Sequence, residues 1–224
     1  LGALTEVGYK FHDAAGGRVI PLPQNWSRIT RITGSAPPQM PPVFIACDVV
    51  NPLCGPNGAA AVYGPQKGLA LAAVPRVDAE AARLARMVCE YRQLHPDLPK
   101  KPGAGAAGGI AFGLMAGLGA QLLPGAELVG DWFELAQRIQ AADVVLTGEG
   151  SFDGSSLAGK GPGAVVVAGR AAGKPVHVFA GRFGLPQTAW MHPVTPANLS
   201  LDEALSRTAQ LIERAVAETC LSAM

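Results

Sequence analysis

The stretch that decides the fold is residues 144–180, VVLTGEGSFDGSSLAGKGPGAVVVAGRAAGKPVHVFA. An apolar run predicts a strand at Val144–Thr147, followed by a helix at Gly161–Ala172 and a second strand at Val176–Ala180. A strand–helix–strand unit with short glycine loops is typical of parallel strands in a doubly wound sheet. Ligands of such sheets bind at the carboxyl ends of the strands, so the polar residues that follow each apolar run are candidates for a site.

Outward from this unit, the patterns predict a mixed α/β chain. A buried strand is predicted at Val43–Cys47 and a short extended piece at Pro193–Thr195. Four further helices are predicted at Ala79–Leu94, capped by Asp78, at Ile110–Leu118, at Asp131–Ala141, and at Leu201–Ser222, capped by Ser200. We therefore predict two unlike α/β domains. Residues 1–130 form a mixed-sheet domain that contributes substrate-binding loops, and residues 131–224 form part of a flavodoxin- or Rossmann-like domain with parallel strands, incomplete in this chain.

Composition argues against several classes of partner. The 224 residues include 18 Lys and Arg against 17 Asp and Glu, a net charge of +1 that disfavours nucleic acid or an acidic membrane as the partner. The apolar segment Gly103–Leu123 is rich in Gly and Ala, so we interpret it as a buried helix of a soluble, cytoplasmic protein. The four cysteines form no CxxC pair, so no zinc site is expected, and the four histidines show no mutual pattern.

The first polar cluster follows the predicted strand that ends at Cys47. Asp48 at the tip of an apolar strand is placed to hold a metal or to accept a proton from a substrate hydroxyl. Asn51 and Asn57 are candidates to hydrogen-bond hydroxyl groups, and Lys67 is a candidate to bind an anion. The alternative is that the Asp and Asn side chains satisfy turn backbone groups, as these residue types do routinely.

The second cluster is the glycine-rich segment 102–109, PGAGAAGG, which leads into a predicted helix. No strand of a βαβ unit precedes it, so a dinucleotide-binding fingerprint is disfavoured. Gly103, Gly105 and Gly108 are expected to present backbone N–H groups at the helix N-terminus, where a phosphate or carboxylate binds well. Close helix packing, with Gly and Ala as spacers, is the alternative.

The third cluster lies inside the opening stretch. Glu149 and Asp153 follow a predicted strand, and Lys160 stands at the start of the next helix, where the helix dipole favours anions. Kinases need acids that hold Mg²⁺ and fixed positive charges that meet the phosphates. The spacing is not that of a Walker A loop. In a fourth segment, Arg182 is a candidate phosphate ligand, although an exposed structural Arg is the favoured explanation.

Taken together, four ordered runs resemble the class I glycerate kinase family. They are ACDVVNPLCGPNGAAAVYGPQKG (46–68), PGAGAAGGIAFGLMAGLGA (102–120), ADVVLTGEGSFDGSSLAGKGP (142–162) and HVFAGRFG (177–184). The resemblance extends over the whole chain. It implies ATP-dependent phosphorylation of D-glycerate, usually at the 2-hydroxyl, with Mg²⁺. Family members also carry an upstream region, and the chain enters directly into a helical pattern at Leu1, so we expect this chain to be the C-terminal part of the enzyme.

The resemblance also implies roles for the candidates. Asp48, Asp153, Glu149 and Lys160 are the expected catalytic residues, with Asp153 and Glu149 as the metal ligands. The substrate- or phosphate-binding residues are Asn51, Asn57, Lys67, Gly103, Gly105 and Gly108. ATP and Mg²⁺ are the expected cofactors, D-glycerate is the small-molecule partner, and a homodimer is left open. Two alternatives stay open as well: a non-catalytic glycerate- or nucleotide-binding module, and a kinase for another small hydroxy acid.

Overall fold

The structure is a computed structural model that describes residues 1–157 and 161–222. Its internal contacts divide the chain into two compact units, a first unit Leu1–Leu123 and a second unit Pro124–Met224. The predicted boundary near Gly130 lies inside a helix of the second unit. The α/β class with parallel strands is confirmed. The assignment of residues 1–130 and 131–224 to separate domains, one of them flavodoxin- or Rossmann-like, stays a prediction.

The described residues form the following elements. The helices are α1 (Gly2–Glu6), α2 (Ala59–Tyr63), α3 (Val74–Arg92), α4 (Ala106–Leu118), α5 (Gly125–Trp132), α6 (Leu135–Ala141), α7 (Gly161–Ala171), α8 (Leu201–Ser206) and α9 (Thr208–Ser222). The strands are β1 (Lys10–His12), β2 (Arg31–Thr33), β3 (Phe44–Ala46), β4 (Gln121–Leu123), β5 (Val145–Phe152), β6 (Val176–Phe183) and β7 (Met191–Pro193). Short 3₁₀ turns occupy Pro23–Arg28, Pro65–Lys67, Leu71–Ala73 and Leu98–Lys100.

Helices α3 and α4 build the core of the first unit. Four α3 side chains at helical spacing are fully buried: Leu84, Ala85, Val88 and Cys89. Tyr9 is buried beside them and donates a hydrogen bond of 2.7 Å from its hydroxyl to the Gly117 carbonyl. A Cβ on Gly117 would overlap the Leu4 side chain, so this glycine permits the close packing of α1 on α4.

Two small sheets flank this core. Strands β1 and β2 pair antiparallel, and β3 pairs parallel with β4. The predicted strand Val43–Cys47 therefore exists in shortened form, but it is not buried, because Phe44 is 53% exposed. The carboxyl end of β3 leads directly to Asp48.

The capping role predicted for Asp78 is wrong. Helix α3 begins at Val74 with a proline in its first turn, so Asp78 lies within the helix. Its carboxylate instead accepts hydrogen bonds from the Gly55 N–H, at 3.0 and 3.1 Å. The acid thus ties the loop that follows β3 to helix α3.

The second unit contains a three-stranded parallel sheet in the order β5–β6–β7. Side chains alternate along a strand, so β6 is buried on both faces. Val176, Val178 and Ala180 pack into one cluster with Phe152, and Phe179 packs into another with Val194 and Leu211 of α9, among others. Gly169 of α7 lies against Val176, where a larger residue would not fit.

The helices of the second unit differ from prediction in two places. The helix expected over Asp131–Ala141 is the pair α5 and α6, separated at Phe133 and Glu134, where Glu134 has a left-handed φ of 51°. The closing helix is interrupted at Arg207 and forms α8 and α9. Ser200 caps α8 as predicted, in a capping box with Glu203.

Among the described residues, no helix is both long enough and apolar enough to cross a membrane. The apolar segment Gly103–Leu123 instead contains α4 and β4, and much of α4 is buried in the core of the first unit.

Candidate functional site

In the first unit, the loop after β3 and the glycine-rich segment before α4 meet. The Gly105 N–H donates to the Asn51 carbonyl at 2.9 Å. A Cβ on Gly105 would overlap the Pro52 carbonyl oxygen, and one on Gly103 would lie 3.2 Å from Cys47 Sγ. Gly105 has an ordinary φ of −80°, so its glycine is needed for this close approach and not for backbone conformation. Two motifs far apart in sequence therefore form one local structure.

The Asn51 side chain holds the loop in shape. Its Oδ1 accepts a hydrogen bond from the Tyr63 hydroxyl at 2.6 Å, and its Nδ2 donates to the Asn57 carbonyl at 2.9 Å. These contacts agree with the alternative that the Asn side chains satisfy backbone groups of a turn. Asn57 takes part through its backbone carbonyl. A carboxamide has two donor hydrogens and two acceptor lone pairs, so Asn51 keeps one of each for a ligand.

The expectation that the glycine N–H groups donate to an anion is wrong for two of the three. Gly105 donates to Asn51, and Gly108 donates to the Gly105 carbonyl at 3.1 Å. Ala107, Gly108 and Gly109 all adopt left-handed φ values, of 50°, 70° and 91°, and this turn precedes the regular part of α4. Glycines at 108 and 109 therefore allow the left-handed backbone of this turn, and both of their N–H groups donate to the Gly105 carbonyl within it.

A cavity of about 470 Å³ lies beside this turn in the first unit. Its lining is mostly apolar and includes Trp26, Tyr63, Val49 and Gly108, while Lys67 contributes a positive charge. Lys67 closes the 3₁₀ turn after α2, and its side chain is exposed. Asp48 is exposed as well and lies two residues after the end of β3.

In the second unit, strand β5 is longer than predicted and runs to Phe152, so Glu149 lies within the strand and not after it. Its Oε1 atom is buried and accepts no hydrogen bond among the residues that the structure describes. An unpartnered buried carboxylate oxygen is costly unless a ligand or a cation satisfies it. This makes Glu149 the candidate acid whose surroundings most clearly call for a partner.

Asp153 begins a tight turn immediately after β5. Its Oδ1 accepts from the Ser155 N–H at 2.8 Å and from the Ser155 hydroxyl at 2.7 Å. Its own N–H donates to the Ser156 hydroxyl at 3.0 Å, and Ser156 is only 1% exposed. The predicted site residue Lys160 lies outside the described residues.

Sequence reasoning missed a histidine pair on the other face of this sheet. His177 Nδ1 and His192 Nε2 are 2.8 Å apart, and the His192 ring stacks on Phe179. The Thr219 hydroxyl donates to the Ala215 carbonyl at 2.8 Å and lies 3.4 Å from His192 Nδ1. One ring of the pair donates to the other, and the tautomers decide which. The register of β6 and β7 brings the two histidines together, and this register cannot be predicted from the sequence before the strand pairing is known.

Burial lowers the pKa of His192 below its ordinary value of 6.5, and the neighbouring His177 lowers it further. In the first unit, burial raises the pKa of the Cys54 thiol to about 11, with a smaller contribution from the Asp78 carboxylate. Cys54 is thus a protonated, structural thiol at neutral pH.

The parallel strands, with Asp153 directly after the carboxyl end of β5, place the chain in the α/β class, whose ligands commonly bind at that end of the sheet. A family model described as the glycerate kinase family matches residues 1–223, and the chain belongs to that family. The named relatives in this family are kinases, that is, phosphotransferases.

Two relatives and one solved structure illustrate the match. Glycerate kinase of Halalkalibacterium halodurans is 40% identical over 178 residues, which cover 76% of this chain and 46% of that protein. Glycerate 2-kinase of Escherichia coli K12 is 42% identical over 139 residues, which cover 62% of this chain and 36% of that protein. A solved structure assigned as glycerate kinase 2 of Salmonella typhimurium LT2 superposes with a TM-score of 0.69 at 28% identity, over 98% of this chain and 59% of its own. The chain thus spans less than half the length of these two curated relatives.

Proposed function

We propose that this chain is part of an enzyme that transfers the γ-phosphoryl group of ATP to D-glycerate, with the 2-hydroxyl as acceptor and 2-phosphoglycerate as product. Membership of the glycerate kinase family supports the reaction class. The observation that carries the proposal at the level of residues is the Oε1 atom of Glu149 in the carboxyl-terminal half of β5, which is buried without a hydrogen-bond partner among the described residues and which a cation would satisfy.

The acids of the second unit fit a magnesium site. Mg²⁺ in kinases is commonly held by one or two carboxylates together with substrate phosphates, so a cluster of three protein ligands is not required. Among residues 1–157 and 161–222, no group of three or more His, Cys, Asp or Glu side chains could hold a metal ion. Glu149 and Asp153 would hold the ion, which when bound neutralises charge on the phosphates. Lys160 stays a predicted phosphate ligand.

In the first unit, the candidates suit the acceptor acid. Asp48 would take the proton from the attacking glycerate hydroxyl as its oxygen bonds to phosphorus and the bond to ADP breaks. The remaining donor and acceptor of Asn51 would orient a hydroxyl, and Lys67 would bind the carboxylate. Gly103, Gly105 and Gly108 would hold the loop in position, and no donation of their N–H groups is assumed.

The test is a coupled ADP-release assay with D-glycerate and Mg-ATP, with ³¹P NMR identifying the product. It is run on the 224-residue chain and, where the gene continues upstream, on the longer product. Asp153→Asn and Asp48→Asn are expected to reduce turnover by at least about a hundredfold. Asp202→Asn is the control, because Asp202 lies exposed at the start of α8.

The outcomes separate the alternatives. Mg-ATP binding measured by calorimetry, without ADP release from any form, would move the assignment to a binding module. ADP release with another hydroxy acid and not with D-glycerate would replace the substrate. Full turnover in both Asp→Asn variants would remove Asp48 and Asp153 from the catalytic residues.

A further inference from the structure

Arg182 lies at the carboxyl end of the parallel sheet in the second unit, beside the candidate acids. It is the register partner of Ser151 across β5 and β6. In-register residues of neighbouring strands point to the same face, so Arg182 and Ser151 share a face, and Glu149 lies two residues before Ser151 on that face. The end of β6 is also fixed against the Asp153 turn, because the Gly184 N–H donates to the Phe152 carbonyl at 2.9 Å.

The guanidinium of Arg182 is oriented by one specific contact. Its Nε donates a hydrogen bond of 3.1 Å to the Ser151 hydroxyl. A guanidinium carries five N–H donors, so this contact uses one and leaves the four on the two terminal nitrogens. The Arg182 side chain is exposed, and within the described part of the chain no carboxylate lies within ion-pair distance of it.

The absence of an ion pair at Arg182 is informative because two candidate acids belong to the neighbouring strand β5 and the turn after it. Glu149 lies within β5 and Asp153 directly after it, and the Glu149 Oε1 atom is buried without a hydrogen-bond partner among the described residues. Even so, no ion pair joins either acid to Arg182. The two terminal nitrogens present a parallel pair of N–H donors, which matches two oxygens of a phosphate. Charges of both signs held side by side suit a ligand that itself carries a cation and phosphate oxygens.

We propose that Arg182 binds the terminal phosphates of Mg-ATP through its two terminal nitrogens, and that Ser151 is a positioning residue which holds the guanidinium for this task. The proposal rests on the proposed kinase function and adds to it a phosphate ligand on β6. In this role Arg182 neutralises charge on the transferred group and directs it, while the acids on β5 hold the cation.

The experiment measures calorimetric affinity for two probes, tripolyphosphate with Mg²⁺ and Mg-ATP, on the 224-residue chain. Arg182→Gln is expected to weaken both affinities by about 10- to 100-fold, the size of a lost charge-assisted contact. Arg182→Lys keeps the charge and loses the fork, so a loss of about tenfold is expected. Arg214→Gln is the matched control, since Arg214 is an exposed arginine of α9 that pairs with Glu218 at 3.8 Å; its affinities should equal those of the wild type.

The role of Ser151 needs a readout that a merely structural contact would not change. Ser151→Ala is expected to weaken Mg-ATP binding about threefold in the wild type and to have no further effect in Arg182→Gln, because the serine acts only through the arginine. Equal additive losses would overturn the positioning role. Each variant should give the same circular dichroism melting curve as the wild type, so that a change in affinity is not a loss of folding.

The failures are distinguishable. Wild-type affinity in Arg182→Gln would overturn the Arg182 proposal and leave the kinase function intact. No binding of either probe by the wild-type chain would overturn the Arg182 proposal together with the nucleotide part of the proposed function. Binding without phosphorylation of D-glycerate would overturn only the proposed reaction, and the variants would still decide the role of Arg182.

Discussion

Replacement of Gly105 by Ala tests whether the two motifs of the first unit depend on a close backbone approach. The new Cβ would overlap the Pro52 carbonyl oxygen and lie 2.9 Å from the Pro52 carbonyl carbon and 3.1 Å from the Asn51 oxygen. Carbon atoms in contact prefer about 3.5–4.0 Å, so the two segments must separate by roughly 0.6 Å or more. The present 2.9 Å hydrogen bond from Gly105 to Asn51 would then exceed hydrogen-bonding distance.

The expected cost follows from these distances. Overpacking of this kind costs about 1–3 kcal/mol, and the lost hydrogen bond adds about 1 kcal/mol, so the free energy of unfolding should fall by about 2–4 kcal/mol. Urea denaturation measures this loss. Hydrogen exchange at the Gly105 amide measures the local effect, and its protection should largely disappear.

Gly108→Ala is the matched control, because its Cβ meets no atom within 4 Å while its φ is +70°. Only the backbone penalty of a left-handed alanine applies, about 1–2 kcal/mol, and the Gly105 amide should stay protected. If Gly105→Ala were no less stable than Gly108→Ala and its amide 105 exchanged as in the wild type, the close-approach argument would be refuted.

Three further predictions concern buried groups. The pKa of His192 is lowered in the folded chain, so near and below pH 6.5 the unfolded chain binds a proton more readily than the folded chain does. The free energy of unfolding, measured with urea, should therefore decrease as the pH is lowered from about 7.5 to 5.5. The decrease should be smaller in His192→Asn. Cys54, with a pKa of about 11 against an ordinary 9.0, should react with iodoacetamide about a hundredfold more slowly than a free thiol, and peptide mass spectrometry showing the denatured rate would contradict this. Phe152→Ala should cost about 3–5 kcal/mol in urea denaturation, since Phe152 is 0% exposed. Phe133→Ala should cost less than about 0.5 kcal/mol, since Phe133 is 62% exposed, and similar losses in both would contradict the packing argument.

The sequence predicts those parts of the fold that depend on local patterns. The β5–α7–β6 unit is readable because two short apolar runs flank a Gly- and Pro-bounded helix, and such runs pair parallel across a crossover. The cap of α8 is readable because Ser200 and Glu203 stand at the fixed spacing of a capping box.

Features that depend on distant residues are not readable in this way. Asp78 precedes a run of helix formers and so resembles a cap, but its carboxylate is bound by Gly55 on another segment. The glycines before α4 match an anion-binding turn in sequence, yet the carbonyl that receives the Gly105 N–H belongs to Asn51. The burial of the Glu149 Oε1 atom and the contact of Arg182 with Ser151 follow from strand length and register, which apolar runs define only approximately.

The parallel pairing of β3 with β4 has a consequence for biosynthesis. A parallel pair cannot close as a hairpin, and β4 is made only after α3 and α4 have been translated. Until then the nascent loop after β3 lacks its strand partner, and it lacks the Gly105 amide until the segment before α4 has been made. During synthesis this segment is therefore open to chaperones and proteases, and slow translation between the two strands would prolong that exposure.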